Sequence, residues 1–168
     1  MSISSHFDPD GKAHMVDVTG KAVTVREATA RGDVTMSAQT AAMIQRGDAK
    51  KGDVLGVARL AAIQATKLTP QLIPLCHAIP IEAVNVDFQW PTEPCDGVSH
   101  ATATLRCRVT VRTSAKTGVE MEAMTAVSIA CLTVYDMVKS VDREISVGPI
   151  ELLAKSGGKS GDFRRQSP

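Results

Sequence analysis

The chain is poor in aromatic residues. Across 168 residues it has one Trp, one Tyr and three Phe. That leaves few platforms on which the bases of a single-stranded nucleic acid could stack. It also means that the core is mainly aliphatic. Net charge is nearly absent: 19 Lys and Arg stand against 18 Asp and Glu, a formal charge of +1. A chain so balanced does not wrap duplex nucleic acid by bulk electrostatics. No uncharged apolar run reaches the ~18 residues of a membrane span. The first ten residues carry Ser, His and Asp and lack the basic-then-apolar pattern of a secretory leader. The four cysteines, Cys76, Cys95, Cys107 and Cys131, contain no CxxC pair. No Cys or His lie at finger-like spacing, so no zinc site is expected. The cysteines read as free thiols of a cytoplasmic protein.

What is present is an ordinary globular composition, 43% hydrophobic and 22% charged. Area scaling predicts that folding buries about 69% of the unfolded surface, enough for a sizeable core. Residues 1–14 are polar and read as a loose N-terminus. Residues 15–155 read as one domain, and 156–168 as a flexible Gly/Lys-rich tail.

The pattern from 22 to 36 predicts two short strands around a turn at Arg31-Gly32-Asp33. Ser37 can cap a helix that Gly47 stops. Asp53 is the next cap, for a helix over 54–67 that is apolar nearly all round and ended by Thr69-Pro70. A fixed loop holding Pro74, Cys76, His77 and Pro80 follows. Val84, Val86, Phe88 and Trp90 then alternate with polar residues. So do Ala101, Ala103, Leu105, Cys107, Val109 and Val111. These are two half-buried strands, joined by a long hairpin loop over 91–97. Thr117-Gly118-Val119-Glu120 has the form of a capping box, opening a helix to about Lys139. A last strand is predicted over 148–154. The order β-β-α-α-β-β-α-β contains a split βαβ pattern. It predicts an α+β sandwich: an antiparallel sheet with helices on one face. Two helices this apolar in one small domain also predict an oligomer.

Two charges occupy the unfavourable ends of these helices. Lys51 precedes the Asp53-capped helix, where the dipole is already positive. Asp136 lies near the negative end of the Thr117 helix. For Lys51 the residues leave two readings, a solvated surface lysine or a phosphate ligand at a helix N-terminus. For Asp136 they are an i,i+3 pair with Lys139 or an acid/base carboxylate whose pKa that lysine holds. Glu122 lies 14 residues before Asp136, only ~40° away around the helix but ~21 Å along it. One groove could use both only with a second chain or a long substrate. His77, set between prolines, is either structural or a positioned site residue. The run 155–161, KSGGKSG, resembles a phosphate loop, but G-x-x-x-x-G-K-[ST] requires glycine where Leu153 stands. It is a solubilising tail or a mobile cover for phosphates.

Several stretches together resemble a known family, the MoaC-type cyclic pyranopterin monophosphate synthases of molybdenum cofactor biosynthesis. They are MVDV at 15–18, KKGDVLGVARLAAIQATKLTPQLIPLCH ending at His77, TGVEMEAMTAVSIACLTVYDMVK at 117–139 and LLAKSGGKSGDF at 152–163. The resemblance implies a ferredoxin-like fold and a hexamer built as three dimers, with sites at subunit interfaces. It implies a lyase. The substrate would be 3′,8-cyclo-7,8-dihydroguanosine 5′-triphosphate, supplied by a radical S-adenosylmethionine enzyme. The products would be cyclic pyranopterin monophosphate and pyrophosphate. On this likeness Asp136 is the catalytic acid/base, beside Lys139. Leu75, Cys76, His77, Met121 and Glu122 match substrate-contacting positions. Lys51, Glu120, Lys155 and Lys159 match other pocket positions, Lys51 grouped with the catalytic pair. No resident metal or cofactor is implied, and magnesium carried by the triphosphate is left open. Ala78 stands where many members have proline, and Leu68 where many have a basic residue. The competing functional class is a non-catalytic nucleotide-triphosphate-binding subunit that kept the lysines.

Overall fold

The computed structural model describes residues 10–91 and 101–166. Among these the chain forms strands β1 (Thr24–Ser37), β2 (Ala83–Gln89), β3 (Thr102–Ala115), β4 (Ser146–Ser156) and β5 (Phe163–Arg164). Its helices are α1 (Ala38–Arg46), α2 (Val54–Leu72) and α3 (Glu120–Val138). The strands make one antiparallel sheet in the order β2-β3-β1-β4-β5. This is the α+β class that the periodicity predicts. β2 and β3 pair as a hairpin with Gln89 opposite Arg106. Most of the connection predicted over 91–97 lies outside the described residues.

Alternation along the strands sorts the two faces. Ala28, Ala30, Val34 and Met36 of β1 pair with Val111, Val109, Leu105 and Ala103 of β3. All but Ala103 of these are at most 2% exposed, and α3 packs over them. The other face carries Thr29–Thr110 and Thr35–Thr104 pairs and the ion pairs Arg106–Asp33 and Arg31–Glu151. α3 is long and apolar enough to cross a membrane by length and composition alone. Its apolarity has a nearer cause, since Ala123, Ala126, Val127, Ala130, Cys131 and Val134 are fully buried in the core.

Three predicted boundaries are corrected. Arg31-Gly32-Asp33 is not a turn, because β1 is one continuous strand of 14 residues. Gly32 is there for close approach. A Cβ on it would lie 2.5 Å from Val127 Cγ1 and 2.7 Å from Ile150 Cδ1. The glycine is the place where α3 presses onto the sheet. Next, α2 does not end at Thr69-Pro70 but runs through Pro70 to Leu72. In the last turn a proline forfeits only its own N–H bond to Thr66, and Ile73 N–H closes the helix on Thr69 O at 2.9 Å. Finally, Thr117 does not cap α3. The cap position is Val119, with no side-chain bond, and Glu120 is the first helical residue. Its carboxylate lies back over Gly118 and pairs with Lys155 of β4 at 3.3 Å.

The other caps stand as predicted. Ser37 Oγ accepts from Thr40 N–H at 3.2 Å, and Asp53 Oδ1 from Gly56 N–H at 2.8 Å. Gly47 closes α1 with φ 75°, in the left-handed region that glycine adopts without a Cβ clash. The segment after β4 contributes β5, which pairs Lys155 with Phe163.

Candidate active site

α2 and α3 pack antiparallel, so the start of α2 meets the end of α3. That contact assembles the first group of predicted residues. Lys51 Nζ lies 3.0 Å from Asp136 Oδ2 and donates to the Asp136 main-chain carbonyl at 2.7 Å. Lys139 Nζ lies 2.7 Å from Asp136 Oδ1. The two charges at unfavourable helix ends therefore answer each other. Lys51 satisfies a carbonyl in the last turn of α3, and Asp136 stands near the positive start of α2. Hydrogen bonds from Lys139 and then Lys51 hold the Asp136 carboxyl below the usual carboxylate range. The same pairing raises Lys139. All three side chains are about half exposed, at 45% for Lys51, 56% for Asp136 and 52% for Lys139. The trio is open to a ligand.

The second group gathers at the opposite end of the helix pair, where α2 runs out into the Ile73–Pro80 segment and α3 begins. Leu75, Cys76, His77 and Met121 line a cavity of about 400 Å³, together with Val16, Val18 and Ile73. His77 Nε2 is 2.8 Å from the Val16 carbonyl. A carbonyl only accepts, so Nε2 carries the hydrogen. The chain before β1 is thereby pinned across the loop. Cys76 donates its S–H to Glu122 Oε1 at 3.6 Å. Burial, then the Glu122 charge, pushes the Cys76 thiol up to about 11.

A second, larger cavity of about 890 Å³ opens alongside. The two share Lys21, Thr117, Gly118 and Glu120 as a common wall. Lys159 and Ser160 reach the larger one from the segment after β4, and Lys116 from the end of β3. Lys155 is held between Glu120 Oε1 at 3.3 Å and Ser160 Oγ at 2.7 Å. Gly157 and Gly158, with φ of 88° and 82°, turn the chain there. A Cβ on Gly158 would collide with the Arg26 guanidinium, so only glycine lets this loop close over it.

Within one chain the predicted residues thus fall into two groups at opposite ends of α3. Asp136, Lys139 and Lys51 form one. Leu75, Cys76, His77, Met121, Glu120, Lys155 and Lys159 form the other, with Glu122 behind Cys76. Glu122 and Asp136 lie on nearby faces of the helix in angle only. Glu122 is 1% exposed, whereas Asp136 stands in solvent.

Sequence reasoning missed Lys21, Lys116 and Arg26. For Arg26 a signal exists. It has the inward parity of Ala28 and Ala30, a charge at a position the alternation reserves for the core. It is 8% exposed and donates to three carbonyls, those of Ala115, Lys116 and Gly157, at 3.3, 3.4 and 3.2 Å. For Lys21 and Lys116 nothing in spacing or periodicity marks them. Only the folding of the 16–24 segment over the end of β3 does. Among the described residues no group of three His, Cys, Asp or Glu is placed to hold a metal ion.

The chain is similar along nearly its whole length to curated proteins of one name. It is 61% identical over 165 residues to the cyclic pyranopterin monophosphate synthase of Rhodopirellula baltica, covering 98% of this chain and 94% of that protein. It is 53% identical over 163 residues to the protein of the same name from Cereibacter sphaeroides, covering 97% and 98%. A Roseiflexus species has another of that name, 52% identical over 163 residues, with the same coverage. The MoaC family profile matches residues 15–158, from the strand-leading segment that pins His77 to the glycine turn over Arg26. The chain belongs to the MoaC family.

Proposed function

We infer that this chain is a cyclic pyranopterin monophosphate synthase, an enzyme of molybdenum cofactor biosynthesis. The observation that carries the reading is its near end-to-end identity with relatives of that name. The reaction is the rearrangement of 3′,8-cyclo-7,8-dihydroguanosine 5′-triphosphate to cyclic pyranopterin monophosphate, with pyrophosphate leaving.

The geometry is in keeping with that chemistry. The substrate joins a flat ring to a triphosphate. The smaller cavity, with Leu75, Cys76, His77 and Met121, suits the ring. The adjoining one, with Lys21, Lys116, Lys159 and Arg26, suits an anion. In a chain of net charge +1, cations have been concentrated where a departing pyrophosphate needs them. Asp136 between two lysines is suited to proton transfer during ring rearrangement. It sits at the far end of α3, so we propose that one site draws Asp136, Lys139 and Lys51 from one copy and the cavities from another. Subunit-interface sites of this kind accord with a homohexamer of three dimers. With α1 and β5 set aside, the order β1-α2-β2-β3-α3-β4 and the neighbours β2-β3-β1-β4 support the ferredoxin-like reading of the sheet. Cys76, Cys107 and Cys131 are free, in keeping with the cytoplasm. The pathway partner would be the radical enzyme that makes the triphosphate, and no resident metal or cofactor is called for. Magnesium would enter only with the triphosphate.

The test is mass spectrometry of the protein incubated with the cyclised triphosphate, with pyrophosphate assayed in parallel. Wild type is expected to form both products. Asp136→Asn is expected to keep its fold and lose turnover by about 10²-fold or more. Full activity in the variant would end the assignment of Asp136. A wild type that binds the triphosphate without converting it would leave the binding-subunit reading.

A further inference from the structure

Ser37 caps α1, and its side chain accepts from Thr40 N–H at 3.2 Å. A capping box would place Glu or Gln at residue 40, reaching back to the N–H of the cap residue. Thr40 stands there and has no carboxylate. The fold supplies one from 105 residues away. Asp142 Oδ2 accepts from Ser37 N–H and from Thr40 Oγ1, each at 3.0 Å, and Oδ1 accepts from Glu144 N–H at 3.2 Å. Burial opposes a charge here, but the hydrogen bonds from Ser37, Thr40 and Glu144 outweigh it and hold Asp142 below its ordinary 3.8. Asp142 itself belongs to the turn that ends α3. There Val141 N–H and Asp142 N–H both close on Val138 O, at 2.9 and 3.2 Å. The start of α1 is therefore tied to the chain three residues beyond Lys139.

The far end of the same segment also returns to α3. Gly47 N–H closes α1 on Ile44 O and Asp48 N–H on Met43 O, both at 3.1 Å. Ala49 then enters the core at 9% exposure, and Gly52 N–H turns back on Ala49 O at 2.9 Å. Between these two, Lys51 reaches Asp136. Residues 37–53 thus form a bracket with both ends on the end of α3, Asp142 at the first and Asp136 at the second. The two ends differ in strength. Asp142 is part-buried and takes three donors, whereas the Lys51–Asp136 contact is about half exposed. An exposed pair of this kind contributes little and must offset the entropy of ordering a long lysine chain. It keeps its geometry only if the backbone that carries it is already fixed. α1 buries only Thr40, Ala41 and Ile44, so its cap is a large part of what fixes it. We propose that Asp142 is a positioning residue, which clamps the start of α1 to the end of α3 and so sets Lys51 against Asp136. The part this plays in turnover rests on the functional reading above. The clamp itself does not.

The test reads Asp136, not Asp142. Carboxyl carbon NMR follows the Asp136 titration in the unliganded protein. Lys139 and then Lys51 hold this carboxyl down, so a displaced Lys51 raises its midpoint. Lys51→Met gives the whole effect of that lysine. Asp142→Asn keeps the volume and removes the carboxylate. It is expected to raise the Asp136 midpoint in the same direction, by about half as much or more. The double variant is expected to match Lys51→Met alone, because the clamp acts through Lys51. A merely structural Asp142 would lower stability in urea and leave the Asp136 titration as in wild type. An unmoved midpoint in Asp142→Asn, or additive shifts in the double variant, would overturn the proposal. Should Asp142→Asn not fold, Thr40→Val deletes one hydrogen bond to Oδ2 with the shape kept. A smaller rise is then expected, and no rise overturns the clamp. Pyrophosphate release is expected to fall about tenfold in Asp142→Asn, from misplacement of a group beside the chemistry. A raised midpoint with turnover unchanged would remove the clamp from the reaction. A wild type without turnover would tell against the reaction alone, since the titration does not need it.

Discussion

Lys51 stands 3.0 Å from the Asp136 carboxylate and donates to the carbonyl of the same residue at 2.7 Å. One ammonium thus does two things. It closes the C-terminal turn of α3 and sets the orientation of the carboxylate beside it. Lys139 holds the other carboxylate oxygen at 2.7 Å. Each of the three side chains stays about half exposed, so this is a presented group and not a buried structural bridge.

The pH behaviour of this trio follows from the sign of the shifts. Asp136 is depressed below its ordinary 3.8, chiefly by the Lys139 hydrogen bond and then by Lys51. Its favourable interaction is therefore complete above the ordinary carboxylate value and lost only as pH falls through the depressed one. Lys139 is raised above 10.5, so its share is complete below that value and lost as pH rises past the raised one. Asp136 and Lys139 are expected to stay charged across the whole neutral range. Carboxyl carbon NMR of Asp136 is expected to titrate below 3.8 in wild type. In Lys139→Met the midpoint is expected to move upward. An unmoved midpoint would count against the pairing.

A site shared between two copies predicts complementation. Asp136→Asn disables the lysine–carboxylate end, and His77→Ala the cavity end. Each alone is expected to be inactive. Unfolding and refolding the two together should restore about a quarter of wild-type activity, since half the random pairs are mixed and each of those has one intact site of two. Pyrophosphate release reads the outcome. Mixtures as inactive as their parents would place both ends in separate roles.

Gly32→Ala tests the helix–sheet contact. The new methyl would lie 2.5 Å from Val127 Cγ1, which is fully buried, and 2.7 Å from Ile150 Cδ1. A loss of about 1–3 kcal/mol is expected from overpacking, measured by urea unfolding. Stability equal to wild type would mean that α3 can lift from the sheet.

Arg26→Ala removes the donor to three carbonyls at the junction of β1, β3 and the glycine turn after β4. Buried acceptors left unpaired cost about 1–3 kcal/mol. The loss should be local, since Gly157 and its neighbours lose their anchor while the far end of the sheet keeps its core. Hydrogen exchange is expected to quicken at 157–161 and to change little in α3. Unchanged protection at 157–161 would show that the turn holds itself.

Much of the fold was legible because period-two and period-3.6 patterns report burial directly. The alternation of 101–111 named the inward face of β3, and Ser37, Asp53 and Gly47 marked helix ends by local hydrogen bonds. The errors have a common cause. Gly32, Pro70 and Thr117 were each read by local habit, as turn, helix stop and cap. Gly32 was settled by something distant, α3 pressing on it, and Glu120 by Lys155 of β4, whereas Pro70 was settled by its place in the last turn of α2. The site shows the same division. Asp136 and Lys51 stood out as charges at unfavourable helix ends, because the dipole is a property of the helix alone. Their meeting depends on the antiparallel packing of α2 and α3.

The sequence by itself determined the classes of residue available, the parity that divides core from surface, and the family to which the chain belongs. The tertiary structure decided which of the lysines are neighbours, that Glu122 lies behind Cys76, and that Arg26, at a core position of β1, ties a glycine turn to the cavity edge. Parity and propensity are local and can be read along the chain. Charge pairing and desolvation depend on distances between segments far apart in sequence, and those distances exist only once the sheet and helices are packed.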